Sequence, residues 1–92
     1  MDSPAERERQ LRAALERAFG PAEIEVIDDS AAHAGHAGAR EGGHFRVRIV
    51  SDRFAGRSTL ERHRLVYDAV GALMGRGVHA LAIRAFAPGE RG

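Results

Sequence analysis

The apolar positions of this chain change period several times, and each change marks an element. Ser3-Pro4-Ala5-Glu6 has the form of a capping box with proline at the first helical position. Leu11, Leu15, Ala18 and Phe19 follow at helical spacing, and Gly20-Pro21 ends the run. The pattern predicts an amphipathic helix over about residues 4–19, with an Arg/Glu-rich face turned to solvent. Ile24 to Ile27 reads as a short strand closed by Asp28-Asp29-Ser30. Residues 31–43, AAHAGHAGAREGG, carry small side chains and no periodicity, which predicts a mobile loop; loops of that length in compact domains often serve function. Phe45-Arg46-Val47-Arg48-Ile49-Val50 alternates apolar and basic residues, so Phe45, Val47 and Ile49 are expected to face the core and Arg46 and Arg48 to face outward.

Ser51 to Arg57 reads as a turn anchored by Phe54, with Gly56 in it. Ser58-Thr59-Leu60-Glu61 is a second capping box. The helix it opens places Leu60, His63, Val66, Tyr67, Val70, Leu73 and Met74 on one stripe, and Gly75 and Gly77 bracket its end. Val78 to Phe86 is apolar on both faces until Arg84, which suits a strand covered on both sides, and the last residues read as frayed. The order is α-β-β-α-β. The first two strands form an antiparallel pair, and the single helix between the second and third makes those parallel if they are neighbours. The expected fold is α/β (α+β): a small three-stranded mixed sheet with both helices on one face, in a topology resembling a type II KH fold. Residues 1–92 read as one domain with an ordered core over about 4–87.

Composition narrows the chemistry. The chain has no cysteine, which removes disulfides, thiolate metal sites and cysteine nucleophiles from its own repertoire. The charged N-terminus lacks the apolar stretch of a signal peptide, and no apolar run approaches a membrane span, so a cytoplasmic location is expected. Net charge is only +1, but all 14 basic residues are arginine, the better ligand for phosphate. Arg53, Arg57, Arg62 and Arg64 gather around the turn and the start of the second helix, a candidate face for nucleic acid or a protein partner. No nucleophile–base pair, phosphate-binding glycine loop or placed carboxylate pair suggests an enzyme; Asp28-Asp29 is more simply a strand-ending turn.

The five histidines are the remaining source of chemistry. His33 and His36 lie in the glycine-rich loop, which can carry an imidazole to a metal without disturbing the fold. His44, at the start of the second strand, reads as an ordinary strand-edge residue. His63 lies on the apolar stripe of the second helix and reads as structural, hydrogen-bonded to a nearby turn. His79 opens the third strand, where a ring can be half exposed and firmly held, as a ligand on a rigid element should be.

These residues together spell a pattern. Ser30-x-x-His33, His44-Phe45, Ser51-Asp52-Arg53-Phe54-x-Gly56, Arg62-His63-Arg64-x-Val66-Tyr67 and Val78-His79-Ala80-Leu81 resemble the BolA family, over a match running from about Leu11 to Phe86. In that pattern Phe54, Gly56, His63 and Tyr67 carry structural roles. The resemblance implies the KH-type α/β fold and pairing with monothiol (CGFS-type) glutaredoxins. It also implies a shared [2Fe–2S] cluster and a role in iron–sulfur trafficking or iron and redox regulation. The family's ligands map onto His79 and, by motif position, His33, with His36 as the alternative loop ligand.

Such a cluster ordinarily takes four thiolates, and this chain has none. The implied arrangement therefore draws two thiolates from the glutaredoxin cysteine and glutathione, with His33 and His79 on the other iron. Binding through neutral imidazoles would be pH-sensitive and labile. The chain alone is expected to be a monomer or weak homodimer without cofactor. Some BolA-like proteins are described as transcriptional regulators, so DNA binding through the arginine face is the alternative, although the turn Phe54-Ala55-Gly56-Arg57-Ser58 lacks the GXXG of a KH clamp.

Overall fold

The structure is a computed structural model, and it describes residues 4–20, 22–29 and 43–90. The first capping box begins at Ser3 and so lies partly outside the described residues. Helix α1 spans Pro4–Phe19, strand β1 Glu23–Asp28, strand β2 His44–Val50, helix α2 Thr59–Val70 and strand β3 Ala80–Phe86. Short 3-10 helices at Asp52–Phe54 and Gly71–Leu73 join β2 to α2 and extend α2. The sheet order is β1-β2-β3, antiparallel between β1 and β2 and parallel between β2 and β3. This is the expected α+β architecture, with the expected element order.

The alternation in β2 has its anticipated effect. Phe45, Val47 and Ile49 are buried, and they meet Leu11, Leu15 and Phe19 from α1 and Val66 and Val70 from α2. Each such side chain contributes about 1.5–3 kcal/mol when fully buried, so this cluster supplies most of the folding drive of a small domain. Arg12 fastens α1 to the sheet by donating to the Ile24 carbonyl at 3.0 Å. Helix α2 begins with the complete capping box: Ser58 Oγ accepts from Glu61 N, and Glu61 returns the bond to Ser58 N.

Four expectations are corrected. Strand β3 is an edge strand rather than one covered on both sides, with Ala82 and Arg84 exposed. Its outward positions carry Ala82 and Arg84, and Phe86 there is covered by the Arg48 and Arg84 side chains. The buried seam of α2 runs through Val66 and Val70 with Leu65, Ala69 and Leu73 packed beside it, whereas Leu60 and Tyr67 are 60% and 42% exposed. Gly43, expected at the end of the mobile loop, is buried and fixed; residues 31–42 lie outside the described residues. The C-terminal stretch is not frayed through Glu90.

That last correction has a specific cause. Arg62 pairs with Glu90 in a bidentate bridge of 2.6 and 3.0 Å and donates to the carbonyls of Ala85 and Arg57 at 3.1 and 2.9 Å. Glu90 also accepts from Ala87 N at 2.9 Å. The Arg62 guanidinium, with the Ala87 amide, holds the Glu90 carboxyl at a pKa of about 2, well below the ordinary 4.5. A depressed carboxylate pKa stabilises the fold above the ordinary value, and that stabilisation is lost as pH falls through the folded value. Glu90→Gln should therefore lower the thermal midpoint at neutral pH. The gap to the parent should narrow from about pH 4.5 downward and close near pH 2. Thermal melts across that range check it, and a gap independent of pH would contradict the charge-based account.

Candidate functional site

His79 is exposed and immediately precedes β3. Its position is set by backbone. The Gly43 carbonyl accepts from His79 N at 2.8 Å and from Ala80 N at 3.1 Å. Upstream, Val78 is 1% exposed, donates to Leu73 O at 3.2 Å and accepts from Gly75 N at 2.8 Å. The segment leading into His79 is thus closed on itself and plugged into the core by one valine. Gly43 makes the approach possible: its φ is +71°, and a Cβ there would lie 2.1 Å from the Gly77 carbonyl oxygen. The Arg7 side chain of α1 packs over Gly77, where a Cβ would lie 3.1 Å from its Cδ.

The neighbour of His79 is His44. The parallel register sets His44 against Ala80. The two imidazole rings lie with centroids 5.7 Å apart at 49°. His44 is half-buried with its Nε2 shielded from solvent, while His79 is exposed. Asp29 N donates to the His44 carbonyl at 2.7 Å, and the Asp29 carboxylate pairs with Arg46 at 3.5 Å. Asp29 and Gly43 are the described residues that flank 30–42, so both attachments of that segment lie against this histidine pair. His33 and His36 themselves lie outside the described residues. Among the described residues no three His, Cys, Asp or Glu side chains converge as a complete metal cage. Of the two described histidines here, His79 is the exposed one, and His44 has its Nε2 shielded.

The reading of His44 as an ordinary edge residue missed this contact. The available signal was the pairing of β2 with β3, which aligns the starts of both strands, but their offset is not fixed by either strand's own pattern. His63 is half-buried on α2. It lines a groove with Thr59, Arg62, Ile83 and Phe86. The expected hydrogen bond to a turn is not made to any described residue. Tyr67 donates weakly to the Leu81 carbonyl at 3.4 Å, Phe54 is fully buried, and Gly56 takes the turn at φ +73°.

The four arginines do not form one open face. Arg62 is consumed by the Glu90 bridge, and its side chain is only 14% exposed. Arg53 donates to the Ala18 carbonyl at 2.6 Å and lies over the Phe19 ring at 5.1 Å. Arg57 and Arg64 remain exposed. Sequence clustering could not separate these roles because the partners are distant: Glu90 is 28 residues from Arg62 and Ala18 is 35 from Arg53. A second basic group lies on the sheet face opposite the helices, where Arg48 and Arg84 both lie over Phe86, at 5.4 and 5.7 Å.

The sequence matches the family described as BolA-like protein over residues 15–90. Mouse BolA-like protein 1 is 46% identical over 90% of this chain and 59% of its own length. The DNA-binding transcriptional regulator BolA of Escherichia coli is 41% identical over 87% of this chain and 73% of its own length. The solved BolA domain of SufE1 from Arabidopsis thaliana superposes with a TM-score of 0.81 at 45% identity, covering 92% of this chain and 95% of that one. The chain spans less than two-thirds of the first curated relatives it matches, down to 24% of Arabidopsis SufE-like protein 1.

Proposed function

This chain belongs to the BolA-like protein family, and from that premise we propose that it is a non-enzymatic partner of a monothiol glutaredoxin that shares a [2Fe–2S] cluster with it in the cytoplasm. The observation that carries this reading is His79: an exposed imidazole on a backbone fixed by Gly43, which is one attachment of the segment that bears His33 and His36. The donor chemistry fits. With no cysteine, the chain can contribute imidazole but no thiolate. Its share of the site is then His79 and one loop histidine, His33 by motif position or else His36, while the glutaredoxin cysteine and glutathione complete the set. The bound cluster supplies electron storage or cargo for transfer. The chain's own residues orient His79 and hold it clear of the core. Since an imidazole must be neutral to ligate, protons compete for the site and make loading reversible. Such lability suits trafficking or sensing.

The test is the visible absorption and circular dichroism spectrum of the chain mixed anaerobically with a monothiol glutaredoxin, glutathione, iron and sulfide. The mixture should differ from the glutaredoxin's own cluster, and His79→Ala should return it to the glutaredoxin spectrum. An unchanged spectrum on adding the parent chain would refute cluster sharing. Separate His33→Ala and His36→Ala variants assign the loop ligand.

A second reading rests on the Escherichia coli relative, which is named a DNA-binding transcriptional regulator. Of the four arginines, Arg57 and Arg64 are open for such a role, Arg53 is exposed but bonded to the Ala18 carbonyl, and Arg62 is engaged by Glu90. Binding carried by so few phosphate contacts would be weak and strongly salt-dependent.

A further inference from the structure

We propose that His44 is a positioning residue for His79, its ring acting as a buttress that limits the directions in which the exposed imidazole points. The inference rests on the cluster-sharing reading for its consequence, but its geometry stands without it. Gly43, whose carbonyl receives the His79 amide, has no side chain to place beside that ring. The neighbouring strand's side chain in contact with it is therefore His44. The centroid separation of 5.7 Å and the tilt of 49° fall within the range of favourable ring contacts.

The two rings are unequal in a way that separates their roles. His44 is half-buried at the head of the sheet's central strand, and its Nε2 is shielded from solvent. His79 sits just outside the edge strand and is exposed. One ring is held and the other is presented. A shielded Nε2 cannot meet a metal arriving from solvent, whereas a flat ring surface can restrict the rotamers of its neighbour. An exposed side chain gives up rotamer freedom when it ligates, and a ring already restricted gives up less. Groups behind a metal ligand commonly act by fixing its orientation.

Two substitutions separate a buttress from a ligand. His44→Phe keeps a ring and removes both nitrogens; His44→Ala removes the ring. The first readout uses the chain alone: the χ1 rotamer populations of His79 from NMR couplings. The parent and His44→Phe should each show one dominant rotamer, and His44→Ala should show averaging, with thermal melts confirming that all three are folded. The second readout is cluster loss from the glutaredoxin complex under chelator challenge. His44→Phe should match the parent, and His44→Ala should lose the cluster roughly tenfold faster, the low end of what removing an outer-shell partner costs in affinity. Unchanged His79 rotamers in His44→Ala overturn the proposal. So does a His44→Phe variant that keeps the rotamer yet fails to load, because His44 would then act through a nitrogen. If the parent shares no cluster at all, the cluster reading fails, while the rotamer measurement still decides the buttress.

Discussion

Gly43→Ala is expected to destabilise the protein by about 3–5 kcal/mol, a large part of the roughly 5–15 kcal/mol that holds a small domain folded. Two costs combine. At φ +71° a Cβ is disfavoured on local grounds, by about 1–2 kcal/mol. The new methyl would also lie 2.1 Å from the Gly77 carbonyl oxygen and 2.9 Å from His79 N. Those atoms are backbone and cannot rotate away, so either β2 or the segment before β3 must move. Gly56→Ala is the control, since it has nearly the same φ, +73°, but nothing within 4 Å of its added Cβ. It should lose only the conformational part, about 1 kcal/mol. Denaturant unfolding of the two variants isolates the steric term. Equal losses would mean that the close approach of the two strand entrances is not what makes glycine necessary. A second consequence is functional. Any shift that relieves the clash pulls the Gly43 carbonyl from His79 N, so under the cluster-sharing proposal the variant that survives folding should hold a cluster less well than its residual stability suggests.

Gly43 also shows where the sequence stopped being legible. Its neighbours in AAHAGHAGAREGG are small and polar, and a terminal glycine in such a run looks like more loop. The constraint that fixes it comes from residue 77, brought near by a parallel pairing that no local pattern records. Local signals were read well: the 16-residue α1, the alternation that buries Phe45, Val47 and Ile49, and the Ser58–Glu61 box all depend on residues within a few positions. The face of α2 was legible in part: Val66, Val70, Leu73 and Met74 of the expected stripe join the core, while Leu60 and Tyr67 are exposed. Steps of three and four support two overlapping stripes there. The stripe through Leu60 and Tyr67 has the larger apolar side chains, while the buried one runs from Arg62 through Val66 and Ala69. Arg62 occupies this seam because Glu90 and two backbone carbonyls receive its guanidinium, and Glu90 lies far along the chain. Of the candidate site, the exposed place of His79 at the entrance of β3 is legible from the glycine break before it. His44 was missed because its importance depends on which strand lies next to it.

Phe54→Ala is expected to cost about 3–5 kcal/mol, comparable with Gly43→Ala but through the core rather than the site. Phe54 is 0% exposed and its ring lies 5.0 Å from that of Phe19. The turn that carries it is fastened on every side. Ser51 N donates to the Phe86 carbonyl at 2.9 Å, Ser51 Oγ accepts from Arg53 N at 3.2 Å, and Arg53 reaches the Ala18 carbonyl. Ser51-Asp52-Arg53-Phe54 is thus a plug that joins the ends of β2, β3 and α1, and truncating its aromatic leaves a cavity that three elements would have to collapse into. Phe54→Leu fills most of that space and should cost less than half as much. Unfolding midpoints of the two variants test this, and equal losses would point to a role for the ring beyond volume. The same comparison separates fold from function. If the cluster-sharing proposal holds, a folded Phe54→Leu protein should give the parental cluster spectrum at reduced stability, whereas His79→Ala, at an exposed position, should melt as the parent does and lose the spectrum. If Phe54→Leu abolished the spectrum while folded, the turn would contribute to the proposed partner surface as well as to the core.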